Sequence, residues 1–176
     1  MSETHTHDEL AGVVDLFDAL TQTELTTALT ELAFKRGEEP DKEVVEATIE
    51  NAIDDYALVV IDGSDQSAID NREPESDGET SGATRLLVPG PTAFPSLPPA
   101  AEDLPHIMDV PERTIDREAV GQRVLTRLRE EATEAAEADD RDRAEQLLDV
   151  SYDLEAWAPV AADDVRENLD ELLDEQ

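Results

Sequence analysis

The stretch from Ala119 to Arg129 holds three arginines and no acidic residue, whereas the whole chain carries 46 Asp and Glu against 13 Lys and Arg. Arg123 and Arg127 are one helical turn apart, so they share a side of a helix. One interpretation is a patch that binds an anion or a partner, formed by Gln122, Arg123, Thr126, Arg127 and Arg129. The interpretation we favour is that these arginines pair with the abundant carboxylates of the same fold, because surface ion pairs are common.

The histidines are the next candidates for chemistry. His5 and His7 lie in a polar N-terminal segment that we expect to be unstructured, with no third ligand fixed by the sequence, so we predict no metal site there. His106 has an apolar context, and we expect it to be packed and bonded to a backbone carbonyl. The alternative is an enzyme of unknown class that uses His106 together with neighbouring carboxylates.

Motifs of established catalytic or phosphate-binding sites are absent from the sequence: it contains no Walker A, GxGxxG, nucleophile-elbow or HExxH pattern and no cysteine. The loop that begins at Asp62 lacks the spacing of a calcium-binding EF-hand. We therefore predict no cofactor, no metal site and a protein that is not an enzyme.

Trp157 is the only tryptophan of the chain. A lone tryptophan is a candidate anchor for a protein interface, since aromatic residues are frequent there. It also suits the closing of a core where a helix ends.

The N-terminal residues predict three helices. The first has its apolar residues at helical spacing, namely Leu10, Val13, Val14, Phe17 and Leu20. The second begins with a capping box between Thr21 and Glu24 and ends at Gly37. Asp41 opens the third.

Two apolar, β-branched runs follow, at 56–62 and 84–88, and we expect them to pair as a hairpin. Three helices followed by two strands is the order of a winged helix-turn-helix, although a helical domain with a minor hairpin fits equally well. We assign residues 1–62 and 83–95 to a winged-helix-like half and residues 63–82 to an acidic, mobile loop.

The third helix argues against DNA binding by this half. Between Asp41 and Asp55 it offers one Lys and one Asn against six acidic residues. Because nucleic-acid affinity depends on neutralising phosphates, this helix would repel DNA.

Residues 96–113 are predicted to form an extended, proline-rich strap, and residues 114–176 a C-terminal helical half packed on the first. The proline-rich stretch 89–111, which leads into the strap and covers most of it, has apolar candidates for anchoring it, which are Phe94, Leu97, Leu104, Ile107 and Met108. The C-terminal helices are expected to begin near Asp116, at Asp139 or Asp140, and after Asp163. The predicted fold class is mainly α with a small β-hairpin.

The net charge of -33 on 176 residues indicates that the protein works in concentrated salt. Such self-repulsion opposes compactness in dilute buffer, whereas at molar salt the screening length falls to about 3 Å. We therefore expect a halophilic archaeon as the source. No apolar run is long enough to span a membrane and no signal peptide is recognisable, so we predict a cytoplasmic protein.

Several segments resemble an uncharacterised family of haloarchaeal proteins, a domain of unknown function. They are 9–17, 31–37, 87–95, 102–106 and 152–159. The resemblance implies one co-folded unit and a salt-loving source, and it implies no activity. We interpret the chain as a non-enzymatic interaction or regulatory module with an unknown protein partner. The alternatives are a DNA-binding transcription regulator, acting through the arginines of 119–129, and an enzyme.

Folding is predicted to depend on salt. When KCl is lowered, circular dichroism should show loss of helix well above physiological ionic strength, because the carboxylates then repel one another. Full helicity at low salt would contradict the proposed role of the charge.

Overall fold

The computed structural model describes residues 3–62, 69–71 and 85–175. The chain divides into two compact units, Met1–Asp116 and Arg117–Gln176. The architecture is mainly α with a small antiparallel sheet, which confirms the predicted fold class. The packing of the C-terminal half on the first stays a prediction.

The first unit begins with three helices and a three-stranded sheet. In chain order its elements are α1 (Glu3–Asp15), β1 (Leu20–Thr21), α2 (Gln22–Lys35), α3 (Lys42–Asp54), β2 (Leu58–Asp62), β3 (Ile69–Asn71), β4 (Arg85–Pro89), a 3-10 helix (Ala101–Asp103), α4 (Leu104–Ile107) and β5 (Arg113–Ile115). The sheet has the order β1-β4-β2, and β2 and β4 pair antiparallel as the predicted hairpin. The residues between α1 and α2 add a third strand to this sheet, and the winged-helix-like interpretation stays a prediction.

Local hydrogen bonds fix the start of α2 as predicted. The backbone N–H of Thr21 donates to Glu24 Oε2 at 2.8 Å, and the N–H of Glu24 donates to Thr21 Oγ1 at 3.1 Å. Gly37 follows the helix with a φ of +72°, a left-handed conformation that favours glycine. Asp41 caps α3 through the backbone N–H groups of Glu43 and Val44.

Two predictions at the N-terminus are wrong. Helix α1 begins at Glu3, so His7 lies in a helix and not in an unstructured tail. Leu20 lies in β1 and not in the first helix, because Asp18 adopts a left-handed φ of 63° after α1 ends and Leu20 then pairs with Leu87.

The strap crosses α1 through backbone contacts. The N–H of Ser96 donates to the carbonyl of Asp8 at 3.0 Å, and the N–H of Phe94 donates to Asp8 Oδ1 at 3.0 Å. Gly12 allows this approach, since a Cβ there would lie 2.0 Å from the Ser96 carbonyl oxygen. Further along, Leu104 is fully buried in the core of the unit.

The anchors predicted for the strap are correct only in part. Leu104 is buried and Met108 packs against the core, but the other three, Phe94, Leu97 and Ile107, are exposed. The strap is also less extended than predicted, because it folds into the 3-10 helix and the single turn of α4.

The predicted acidic loop, 63–82, lies outside the described residues except for 69–71. These three residues form β3, which pairs antiparallel with β5.

The arginine at the start of β5, Arg113, is only 9% exposed and reaches the first turn of α2. Its guanidinium donates to Glu24 Oε2 at 2.7 Å and to Glu24 Oε1 at 3.1 Å, and also to the carbonyl oxygen of Ala19 at 3.1 Å. Burial raises the pKa of the Glu24 carboxyl, but the hydrogen bonds from Arg113 and from the Thr21 backbone outweigh it, so the pKa lies below its usual value.

The second unit contains three helices, α5 (Arg117–Ala138), α6 (Arg141–Trp157) and α7 (Asp163–Asp174). Their inward faces carry the apolar residues, among them Val124, Leu128, Leu147, Leu154 and Leu169. Asp140 caps α6 as predicted, through the N–H of Arg143. Gly121 lies where the end of α6 approaches α5, since a Cβ there would lie 2.6 Å from the Ala158 Cβ.

Replacing Gly12 by Ala should lower the free energy of unfolding by about 1–3 kcal/mol, because the new Cβ overlaps the Ser96 carbonyl. The sign of this change in unfolding free energy is informative, since Gly→Ala inside a helix without such an overlap stabilises the protein by about 0.5–1 kcal/mol. Denaturant titration at high salt measures it. Asp15→Ala, on the exposed surface of the same helix, is the control and should change stability by about 0.5 kcal/mol or less.

Replacing Glu24 by Gln should lower the free energy of unfolding at pH 7 by about 1.5–3 kcal/mol, the usual contribution of hydrogen bonds to a charged group. Because folding lowers the pKa of Glu24, the contribution is complete above the unfolded value of about 4.3. It is lost as the pH falls through the lower folded pKa.

The difference between wild type and Glu24→Gln should therefore shrink in acid, which thermal unfolding at a series of pH values measures. Glu31→Gln is the control on the same helix, since the side chain of Glu31 makes no hydrogen bond within the described residues. A Glu24→Gln effect that is constant with pH would contradict the assigned role of the carboxylate.

Candidate interaction surface

The arginine-rich stretch forms part of α5. Gln122, Arg123 and Thr126 are exposed, and the Thr126 hydroxyl donates to the Gln122 carbonyl at 3.0 Å. Arg127 donates to Glu131 at 2.7 Å, and Arg129 donates to a carboxylate on α7. Arg127 and Arg129 thus meet carboxylates, as we expected, while binding of an anion or partner by the patch stays a prediction.

The carboxylates opposite these arginines tie the helices of the second unit together. Glu131 also accepts from Arg143 of α6, and Asp164 of α7 accepts from Arg129 at 2.7 Å. Burial raises the pKa of Glu131, but its two arginines outweigh this and hold the pKa below its usual value. The hydrogen bond from Arg129 likewise lowers the pKa of Asp164. Arg127 and Arg129 therefore form ion pairs within their own unit.

Trp157 is the last residue of α6 and is partly buried. The guanidinium of Arg117 lies over its ring, 4.4 Å from the centroid, and donates to its carbonyl oxygen at 3.4 Å. The position at a helix end suits the closing of the core. The use of Trp157 as an interface anchor stays a prediction.

Arg166 has the same relation to the other aromatic residue of this unit. It lies 4.8 Å from the centroid of the Tyr152 ring and bonds to Glu155 at 2.9 Å. Glu155 also accepts from the N–H of Ala162 at 2.8 Å, the residue that precedes α7. The hydrogen bond from Arg166, followed by that from Ala162, lowers the pKa of Glu155.

The two histidines whose side chains the structure describes, His7 and His106, lie in different helices. His106 is exposed on α4, so the prediction of a packed histidine is wrong. Leu104 occupies the buried side of that single turn, and a residue two positions later points about 200° away. His7 Nδ1 lies 3.7 Å from Asp55 Oδ2. Within the ranges that the structure describes, no group of three or more potential ligands is arranged to hold a metal ion.

The outer face of α3 is acidic. Its exposed side chains include Glu43, Ala47, Glu50, Asn51 and Asp54. Lys42, its only lysine, is 3.8 Å from Glu46 of the same helix. Any surface that docked on this face would therefore meet carboxylates.

An apolar groove lies between the first three helices. It has a volume of about 390 Å³, and its lining residues are Glu9 and Leu10 of α1, Leu29, Leu32 and Ala33 of α2, Arg36 and Glu38 after α2, Val44, Val45 and Thr48 of α3, and Pro98 of the strap. Leu10 and Leu32 form a buried floor, whereas Val44 stands 60% exposed at the side. We call these residues the α1–α3 groove.

The sequence did not point to this groove. A signal was nevertheless present in the valine doublet of α3, because neighbouring helical positions differ in direction by about 100°. Val45 has the helical spacing of Ile49 and Ala52, so Val44 had to lie away from their face. The exposed position of Val44 beside α1 and α2 required the tertiary structure.

No helix in the described ranges is both long and apolar enough to cross a membrane.

The chain matches a family of unknown function (DUF7109) over residues 8–174. The match spans both compact units and confirms the predicted resemblance to a family without an assigned activity. No curated protein and no solved structure matches the chain.

Proposed function

We propose that this chain, which belongs to that family of unknown function, is a non-enzymatic interaction or regulatory module that binds a protein partner through the α1–α3 groove. The carrying observation is the 60% exposed Val44 beside a floor of buried leucines. In a chain of which 34% is charged, an exposed aliphatic side chain at the edge of an apolar groove is suited to covering by another protein.

Binding of DNA through α3 has less support. A winged-helix-like unit would present the exposed face of its third helix to the major groove, and here that face carries Glu43, Glu50 and Asp54. The second route, through the arginines of 119–129, is weakened because Arg127 and Arg129 already bond to carboxylates of their own unit.

Catalysis by His106 also has less support. His106 lies exposed on a single helical turn, and a general acid or base needs a site that orients its substrate. The α1–α3 groove contains no histidine.

We place the protein in the cytoplasm of a halophilic organism. The support is the net charge of -33 together with a core of aliphatic residues, since an acidic coat stays hydrated and weakly repulsive when salt is concentrated.

A pull-down in molar KCl tests the proposed function. The tagged full chain and its Val44→Asp variant are incubated with a lysate of the organism that encodes the protein, and recovered proteins are identified by mass spectrometry. We expect a specific protein to be recovered by the wild type and its yield to fall about tenfold with Val44→Asp, because a buried valine contributes about 1.5 kcal/mol. Phe34→Asp is the matched control, since Phe34 is 65% exposed on α2 and does not line the groove.

Three outcomes would contradict the proposal. The first is recovery of no specific protein, and the second is recovery that both variants leave unchanged. The third is a mobility shift of genomic fragments in molar KCl that Arg123→Ala with Arg127→Ala abolishes, which would favour the DNA-binding alternative.

A further inference from the structure

The walls of the α1–α3 groove determine how a partner can be recognised. All three main walls are helices, whose backbone groups are bonded within the helix. The N–H groups of Glu43 and Val44 at the start of α3 are bonded to Asp41 Oδ1, at 3.0 and 3.4 Å. Because no strand edge is offered here, a partner cannot join by adding a strand. It must be recognised through its side chains.

The floor of the groove favours aliphatic side chains. Leu10 and Leu32 are at most 4% exposed, and Leu29, Ala33 and Val45 are partly buried around them. A volume of about 390 Å³ accommodates a few side chains and not a folded surface. A helix that places apolar residues at every third and fourth position presents such a row.

The surroundings of the groove are net acidic. The carboxylates that line it or adjoin it along the turn from α2 to α3 are Glu9, Glu38, Glu39, Asp41 and Glu43. The cations are Lys35, Arg36 and Lys42. Lys35 lies 3.1 Å from Asp103 and Lys42 lies 3.8 Å from Glu46, so further carboxylates accompany two of these cations.

From this combination we infer that the partner segment is an amphipathic helix whose apolar face is flanked by Lys and Arg. Its aliphatic side chains would fill the α1–α3 groove beside Val44, and its basic flanks would face the carboxylates at the rim. An acidic segment of the same shape would be repelled. This inference rests on the proposed function and specifies the chemistry of the partner.

Three synthetic peptides test the inference by fluorescence anisotropy with the full chain. The first is a Leu/Lys peptide with leucines at helical spacing, the second has the same composition in scrambled order, and the third has Glu in place of Lys. Titrations run in molar KCl, which screens unspecific attraction to the acidic surface. They are repeated at lower KCl as far as circular dichroism stays constant.

We expect the Leu/Lys peptide to bind more tightly than the other two, with a preference over the Leu/Glu peptide that grows as KCl is lowered. Val44→Asp should weaken binding of the Leu/Lys peptide about tenfold, whereas Phe34→Asp, which adds the same charge outside the groove, should not. Circular dichroism of both variants verifies that they are folded.

Binding of the scrambled peptide with equal affinity, absence of binding by the Leu/Lys peptide, or equal behaviour of the two variants would overturn the inference. The two proposals fail separately. A native partner that depends on Val44, combined with equal or tighter binding of the Leu/Glu peptide, would leave the proposed function intact and refute the basic helix. The expected peptide pattern without any native partner would leave the groove preference intact and refute the proposed function.

Discussion

The ion pair between the buried Arg113 and the partly buried Glu24 is a contact on which the arrangement of the first unit depends. It brings the end of the strap to the start of α2, and the same carboxylate closes the capping box with Thr21. A guanidinium that is 9% exposed needs a charged partner, since an unpaired charge in that position would be costly. One carboxylate therefore serves local helix capping and long-range closure at once.

The remaining charged residues include exposed carboxylates and arginines that bridge helices of the second unit. Most carboxylates are exposed around an interior of Leu, Val, Ile and Ala, while the bridging arginines of the second unit connect one helix to another. Arg129 joins α5 to α7, and Glu131 joins α5 to α6 through Arg143. The chain has only 13 Lys and Arg against 46 Asp and Glu, and some of these cations form internal bridges, so most acidic residues have no cation to neutralise them.

The acidic surface affects which partners can bind in the α1–α3 groove. An acidic coat keeps most partners away and makes contact favourable where an apolar site is exposed and the partner brings complementary charge. The order of helices and strands suggested a winged helix-turn-helix, but the exposed side of α3 has the opposite charge from one that binds phosphate. Site chemistry, and not topology, thus directs the proposal toward a protein partner.

The sequence by itself determined the helices of both halves, the capping box at Thr21 and the hairpin of β2 and β4, because periodicity and short-range hydrogen bonds act over a few residues. It also determined the charge. Tertiary structure decided that β1 joins the sheet, that Arg113 pairs with a glutamate 89 positions away, and that Phe94 and Val44 remain exposed. Among 46 acidic residues, local pattern cannot select the one that a given arginine will meet. That selection depends on how distant segments pack, and so does the groove.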